Sequence, residues 1–330
     1  DKVICNQELI KKINQNLKIY RYNFLFDYIL NFLSFWNKRS YIFDIGPYSL
    51  MKLSERIYLD SKQYLSFDKD DNKKINIFFN QIGINDTFKW ICFHNRDDAY
   101  LKKKLKSGWP NQFRDWSYHS HRDFSFESML DAAIYFSEKN FKIFRMGSHT
   151  SEIYNKSSNK VFDYVNSKYQ NDFNDIYLLS NCEFYFGSDS GINVLPILSK
   201  KPIYIINFSP TQIFNRTYEF IKTPFIFKRP KIKKTNKLLT LSEFMNTDCF
   251  FSTTSYDLEK CGINLQNNNN LEILNFAKES LNEMQGKTLS KEDEEIQIEF
   301  DNLYRKLFIK FKLFQKNNLG KNKIRISPSF

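Results

Sequence analysis

Residues 184–191 read Phe184-Tyr185-Phe186-Gly187-Ser188-Asp189-Ser190-Gly191, an apolar run that empties through small hydroxyls and glycines into the apolar stretch beginning at Ile192. A strand ending this way offers backbone N–H groups, hydroxyls and the positive end of a helix dipole to an arriving anion. Ser and Gly also close strands and cap helices for structural reasons, so the turn gains meaning from its neighbours. His94 and Arg96 follow the apolar run 88–93. A guanidinium there can grip a phosphate through two N–H groups, and an imidazole can orient a phosphate or a sugar hydroxyl. Arg96 has a structural alternative, an ion pair with Asp97, Asp98 or Asp123. Asp97 and His121 are the candidates for taking a proton from an acceptor, with His119 a further one. His119 and His121 form a His-x-His spacing without a third recognisable ligand, so no metal is expected.

These groups need strands that end on one edge. The run 88–93 reads as a strand closing at His94, and Phe126, Met129, Leu130, Ala133 and Ile134 then recur at helical spacing behind Asp123 or Ser125 as cap. Asn140 ends that helix. Residues 141–146 form a second strand flowing into Gly147 and Ser148, 172–179 a helix, 183–186 a third strand, and 202–206 a fourth ending at Asn207. Alternating strands and helices imply a parallel, doubly wound sheet, and such sheets bind ligands beyond their carboxyl ends. Four ends would thus bring His94 and Arg96, Gly147 and Ser148, Ser188 and Ser190, and Asn207 to one edge. Residues 1–87 suggest helices and two short strands, near 41–45 and 75–79. Residues 296–314 have helical periodicity behind the acidic start 290–294.

Composition narrows the partners. The chain of 330 residues is 42% apolar and carries a formal charge of +12, which favours an anionic partner. Two basic runs, 102–106 and 228–234, are solvated faces or contacts for anionic lipid or a polyanion. No RNP, zinc-finger or basic-zipper pattern supports nucleic-acid binding, and no Gly-x-Ser-x-Gly, Walker or Gly-x-Gly-x-x-Gly motif supports a hydrolase, ATPase or dehydrogenase. Cys5, Cys92, Cys182, Cys249 and Cys261 stand singly, which implies reduced, buried thiols. No signal peptide or apolar run of about 18 residues is present. The expected location is cytoplasmic, with peripheral contact at the inner membrane.

The succession Ile91-Cys92-Phe93-His94-Asn95-Arg96-Asp97-Asp98-Ala99-Tyr100, then Arg122-Asp123 and Phe144-Arg145-Met146-Gly147-Ser148, resembles a family of bacterial glycosyltransferases associated with surface-polysaccharide synthesis. The runs 172–178 and 187–191 and the end Arg325-Ile326-Ser327-Pro328-Ser329-Phe330 are similar to it too, so the likeness covers about 88–210 plus the tail. The resemblance implies a GT-B-like α/β enzyme. A smaller N-terminal, acceptor-side lobe (1–87) would precede a Rossmann-like donor domain (88–285), with a C-terminal helix and tail (286–330) packing back across the lobes. It also implies a nucleotide-sugar donor, a glycan or lipid-linked acceptor, and neither cofactor nor catalytic metal. The distantly related fucosyltransferase pattern places a His-x-Arg on donor phosphate, matching His94 and Arg96. That pattern continues with a second Arg where this chain has Asp97. The donor-binding set is then His94, Arg96, Gly147, Ser148, Gly187, Ser188, Asp189, Ser190, Gly191 and Asn207, and the catalytic set Asp97, His121 and Arg96. A non-catalytic polyanion- or glycan-binding protein of the same fold is the alternative.

Overall fold

The structure, a computed structural model, describes residues 6, 8–9, 11–12, 65–84, 87–106, 117–154, 161–212, 223–252 and 254–310. Six parallel strands form its centre: β1 (Lys89–His94), β2 (Phe141–Arg145), β3 (Val161–Phe162), β4 (Phe184–Gly187), β5 (Ile203–Phe208) and β6 (Phe225–Phe227). Their spatial order is β3-β2-β1-β4-β5-β6. The order reverses between β1 and β4, the position where an open parallel sheet leaves a crevice at its carboxyl edge. A separate antiparallel ribbon pairs β7 (Arg229–Ile232) with β8 (Ile263–Gln266).

The strands read as nearly continuous apolar runs because both faces are covered. On one face Ile91, Phe93, Ile143, Phe184, Phe186, Tyr204 and Ile206 pack against Leu130, Ala133 and Phe136 and against Ile273, Phe276 and Ala277. The former three lie on helix α3 (Leu130–Glu138) and the latter on α8 (Asn270–Met284). Alternate residues Cys92, Phe144, Tyr185, Ile203 and Ile205 point to the other face. That face is covered by α1 (Lys69–Gln81), α4 (Asp172–Asn181) and α9 (Lys291–Lys310). Period-two alternation in the strands thus feeds two cores.

Several expectations hold closely. Asn140 sits at φ 66° between α3 and β2, and the Ser125 hydroxyl caps the 3₁₀ turn Phe126–Met129 that leads into α3. Ser290 and Asp293 exchange backbone and side-chain hydrogen bonds ahead of α9. Others change. The expected strand at 75–79 is helical, because Ile75, Phe78 and Phe79 share one face at i, i+3, i+4 and Asp68 with Asp71 makes a capping box. This helix lies within the 1–87 segment yet contributes to the core under the sheet. The expected strand near 41–45 lies outside the described residues. Phe300 and Tyr304 join the same core, Phe300 meeting Phe225 and Phe227 at 6.2 Å between ring centroids.

Cys249 and Cys261 form a disulfide with Cα atoms 6.1 Å apart, which corrects the expectation of reduced thiols there. Their spacing of 12 residues concealed the bridge, because the chain doubles back through α7 (Ser255–Lys260) between them. Cys92 and Cys182 are free and buried, as expected.

Candidate functional site

Each strand end delivers its residues to one edge. His94 closes β1 and pairs in register with Gly187 of β4. A Cβ on Gly187 would lie 2.2 Å from the His94 carbonyl oxygen, so backbone approach demands glycine here. Gly147, at φ 153°, lies two residues past β2, and a Cβ there would meet Val165 at 3.1 Å and His94 Nδ1 at 3.6 Å. Both glycines expected to cradle phosphate therefore fit around His94. The His94 ring bonds through Nδ1 to the Met146 carbonyl at 2.9 Å. Burial pushes its pKa down to about 4, Arg145 and Arg96 adding to the shift against the Met146 bond and Asp97.

Arg96 leans on Asp123. Its Nη1 donates to an Asp123 carboxylate oxygen and to the His119 carbonyl at 3.1 Å, so the structural alternative is realised for one nitrogen of the fork. Nε and Nη2 make no hydrogen bond to the described residues, leaving them for a ligand. Burial lowers the Arg96 pKa, against which Asp123 works. Asp123 is pushed up to about 6, chiefly by burial, while Arg96 and Lys228 oppose the rise.

Lys228 is the residue that sequence reasoning missed. It belongs to the basic run 228–234, yet it lies 1% exposed just past β6 and donates through Nζ to the Asp123 carbonyl at 2.9 Å. Burial depresses its pKa to about 7. Asp123 counters this, and repulsion by Arg96 and Arg122 reinforces it. The buried strand β6 ends at Phe227, so Lys228 occupies a strand-end position that the basic run 228–234 conceals in the sequence. Its neighbours do not share the site, since Arg229 pairs with Glu272 and Lys233 with Glu259.

Arg122 lies beside Asp123 at the end of the 3₁₀ segment Ser117–Arg122. It reaches the Gly187–Gly191 turn, donating through Nη2 to the Asp189 carbonyl at 2.6 Å and lying 3.7 Å from the Asp189 carboxylate. In the turn, the Ser188 N–H is spent on the His94 carbonyl at 2.9 Å, and the Tyr185 hydroxyl donates to the Ser188 carbonyl at 2.7 Å. Ser188 Oγ and Ser190 Oγ are buried without a well-formed hydrogen bond. The helix expected behind the turn shrinks to a 3₁₀ turn, Gly191–Asn193, and the short α5 (Val194–Leu198). Its dipole therefore contributes little. Asn207, at φ 52°, exchanges hydrogen bonds with Asn268 at 2.9 and 2.7 Å, while its Nδ2 is buried without a partner.

Asp97 is held as a clasp. Its carboxylate accepts from Ala99 N–H (3.1 Å), Thr150 Oγ1 (2.8 Å), Ser151 N–H (2.7 Å) and Ser151 Oγ (3.0 Å). Burial alone would raise its pKa, but these donors outweigh burial and hold it below the ordinary carboxylate value, which makes it a weak base. Behind it Arg145, fully buried in β2, binds Asn95, Thr150, Glu152 and Asp163 and stacks 4.4 Å from the Phe126 ring centroid. The Arg-Met-Gly-Ser run thus fixes the loop that carries Ser148, whose exposed side chain stands outside the charged group.

His121 belongs to the 3₁₀ segment Ser117–Arg122, docked on α7 through Ser255. Ser255 Oγ accepts from the His121 N–H, meets His121 Nδ1 at 3.0 Å and donates to the Tyr118 carbonyl at 3.0 Å. Burial, with Arg122 and Lys228 nearby, brings the His121 pKa to about 4. His149 lies apart, its ring 6.3 Å from that of Tyr100. Among the described residues no three His, Cys, Asp or Glu side chains gather as a metal-binding group. No helix among them is long and apolar enough to cross a membrane.

The assembled group is cationic: Arg96, Arg122 and Lys228 surround Asp123 and Asp189. It can hold an anion and stabilise negative charge that develops on one. In comparison with known proteins, no family model matches the chain, and neither a curated protein nor a solved structure resembles it.

Proposed function

We propose that the protein is a glycosyltransferase moving a sugar from a nucleotide-sugar donor to a glycan or lipid-linked acceptor. In this reading the sheet is the donor half of a GT-B-like enzyme. One observation carries it. Lys228, buried just past β6, bonds to the Asp123 carbonyl and is repelled by Arg96 and Arg122, whose partners Asp123 and Asp189 lie at the carboxyl edge of the sheet. Like charges brought together out of water are costly, and an arriving diphosphate removes that cost. The same cations oppose the negative charge that grows on the leaving nucleoside diphosphate, which lets transfer proceed without a metal. Ser188, Ser190 and Asn207 supply polar groups beside them, with buried atoms in want of partners. For the acceptor proton Asp123 is better suited than Asp97 or His121, since it alone of the three has a raised proton affinity.

A non-catalytic glycan or polyanion binder is favoured by a different observation: Asp97 and one face of His121 are committed to structural hydrogen bonds. The two readings separate in one experiment. The protein is incubated with uridine, guanosine, cytidine and thymidine nucleotide sugars while melting temperature and nucleotide release are followed. The transferase reading expects at least one donor to raise the melting temperature and to be cleaved, faster with a glycan or lipid-linked acceptor. Stabilisation without release favours the binder, and a silent panel refutes the nucleotide-sugar reading.

A further inference from the structure

We propose that His94 accepts a hydrogen bond from a ligand hydroxyl, so that the site selects a hydroxyl-bearing diphosphate over a bare anion. The proposal rests on the anion-site reading above and adds to it the part of the ligand that is not phosphate.

Three features converge. The Met146 carbonyl has no proton to give, so the 2.9 Å contact with His94 requires the hydrogen on Nδ1. In a neutral ring this leaves Nε2 as a lone-pair acceptor. The ring is kept neutral by burial and by Arg145 and Arg96 close by, against Asp97. Among the described residues Nε2 has no hydrogen-bond partner; the part-buried ring stands at the edge between β1 and β4, and Nε2 is not among the enclosed, partnerless atoms. Finally, Gly147 and Gly187 leave no side chain on either flank of the residue; a Cβ at Gly187 would clash with the His94 backbone, and Gly147 holds a φ of 153° that a side chain rarely adopts. An acceptor nitrogen repels phosphate oxygens and binds a donor. Phosphate therefore falls to Arg96, Arg122 and Lys228, and His94 takes a hydroxyl beside it.

The hydroxyl can belong to the ribose of a nucleotide or to the transferred sugar, and the test distinguishes them. Titration calorimetry compares inorganic pyrophosphate, UDP and GDP, their 2′- and 3′-deoxy forms, and UDP-glucose and GDP-mannose, on wild type and His94→Asn. The Asn amide keeps a donor near the Nδ1 position and removes the acceptor. His94→Gln, which places an amide near Nε2, serves as the second variant.

The expected result is pyrophosphate affinity within about twofold of wild type in His94→Asn, with affinity for the hydroxyl-bearing ligand falling roughly tenfold. A ribose source predicts that a deoxynucleotide is weak on wild type and indifferent to the substitution. A sugar source predicts that only the nucleotide sugars lose affinity. Equal losses for pyrophosphate and nucleotides would assign His94 to phosphate and overturn the proposal, as would nucleotide affinities unchanged in both variants. The nitrogen-15 spectrum of the free protein gives an independent readout: Nε2 unprotonated at pH 7 is expected, and a protonated Nε2 overturns the proposal. If wild type binds neither pyrophosphate nor any nucleotide, the anion site itself fails, a result distinct from failure of the His94 assignment.

Discussion

Lys228 illustrates how a residue can be costly to the fold and useful to the site. An ammonium 1% exposed, bonded to a backbone carbonyl and repelled by Arg96 and Arg122, is a buried charge short of compensation. In the unfolded chain a lysine holds its proton up to about pH 10.4. In the fold Lys228 holds it only to about 7. Between those values the unfolded state binds more protons, so stability rises with pH and the burden of Lys228 is complete only below about 7. Lys228→Met should therefore raise the melting temperature at pH 7 and lose that advantage as pH approaches 10, measured by thermal denaturation across pH. A lower melting temperature at pH 7 would mean that Lys228 is a structural partner of Asp123. Sequence could not separate Lys228 from its basic run, because charge patterning does not tell a strand-end lysine from the surface lysines beside it. His94 and Arg96 were legible because they follow a long apolar run directly.

Among the elements, β1, β2, β4 and β5 were legible, since apolar runs of four to six residues between polar turns have few other uses in a doubly wound sheet, whereas β3 and β6, of two and three residues, and the ribbon β7–β8 were not expected. The segment 75–79 misled because two adjacent aromatics beside isoleucines satisfy strand preference, and only the caps at Asp68 and Asp71 mark it as helix. The glycine turn was found in the right place for a partly different reason. Gly187 is required by the His94 backbone, so Gly187→Ala should force β1 and β4 apart and cost about 3 kcal/mol, read from chemical denaturation. An unchanged midpoint would contradict that close approach.

The disulfide lay beyond reach of spacing arguments, yet it bears on the site. Cys249–Cys261 closes a loop that includes α7, and Ser255 of α7 holds the segment carrying His121 and Arg122. Replacing both cysteines with serine should cost about 3 kcal/mol and raise amide exchange across 117–122. Exchange confined to 249–261 would show that the two segments are not coupled.

Across the whole molecule, the strand order places the site and the two cores hold it. Reversal between β1 and β4 leaves the crevice, helices on both faces exclude water from the strands, and every cation of the site stands at or just beyond a strand end or on the segment docked above. The formal charge of +12 is not itself the site. Arg229, Lys233 and Lys102 are paired with Glu272, Glu259 and Asp98, and the proposed anion site draws instead on Arg96, Arg122 and Lys228. The fold class was legible because alternation of strand and helix dictates a parallel sheet. The charged centre was legible only in part, because Lys228 and Arg122 come from segments far apart in the chain.

The most direct test is calorimetric titration of UDP and GDP into wild type and Lys228→Met between pH 8.5 and 7. An anion favours the protonated ammonium, so the account predicts one binding site whose affinity rises as pH falls towards 7, and at least a tenfold weaker, pH-flat interaction in Lys228→Met. Binding of equal strength in both proteins, or no binding of either nucleotide to wild type, would contradict it.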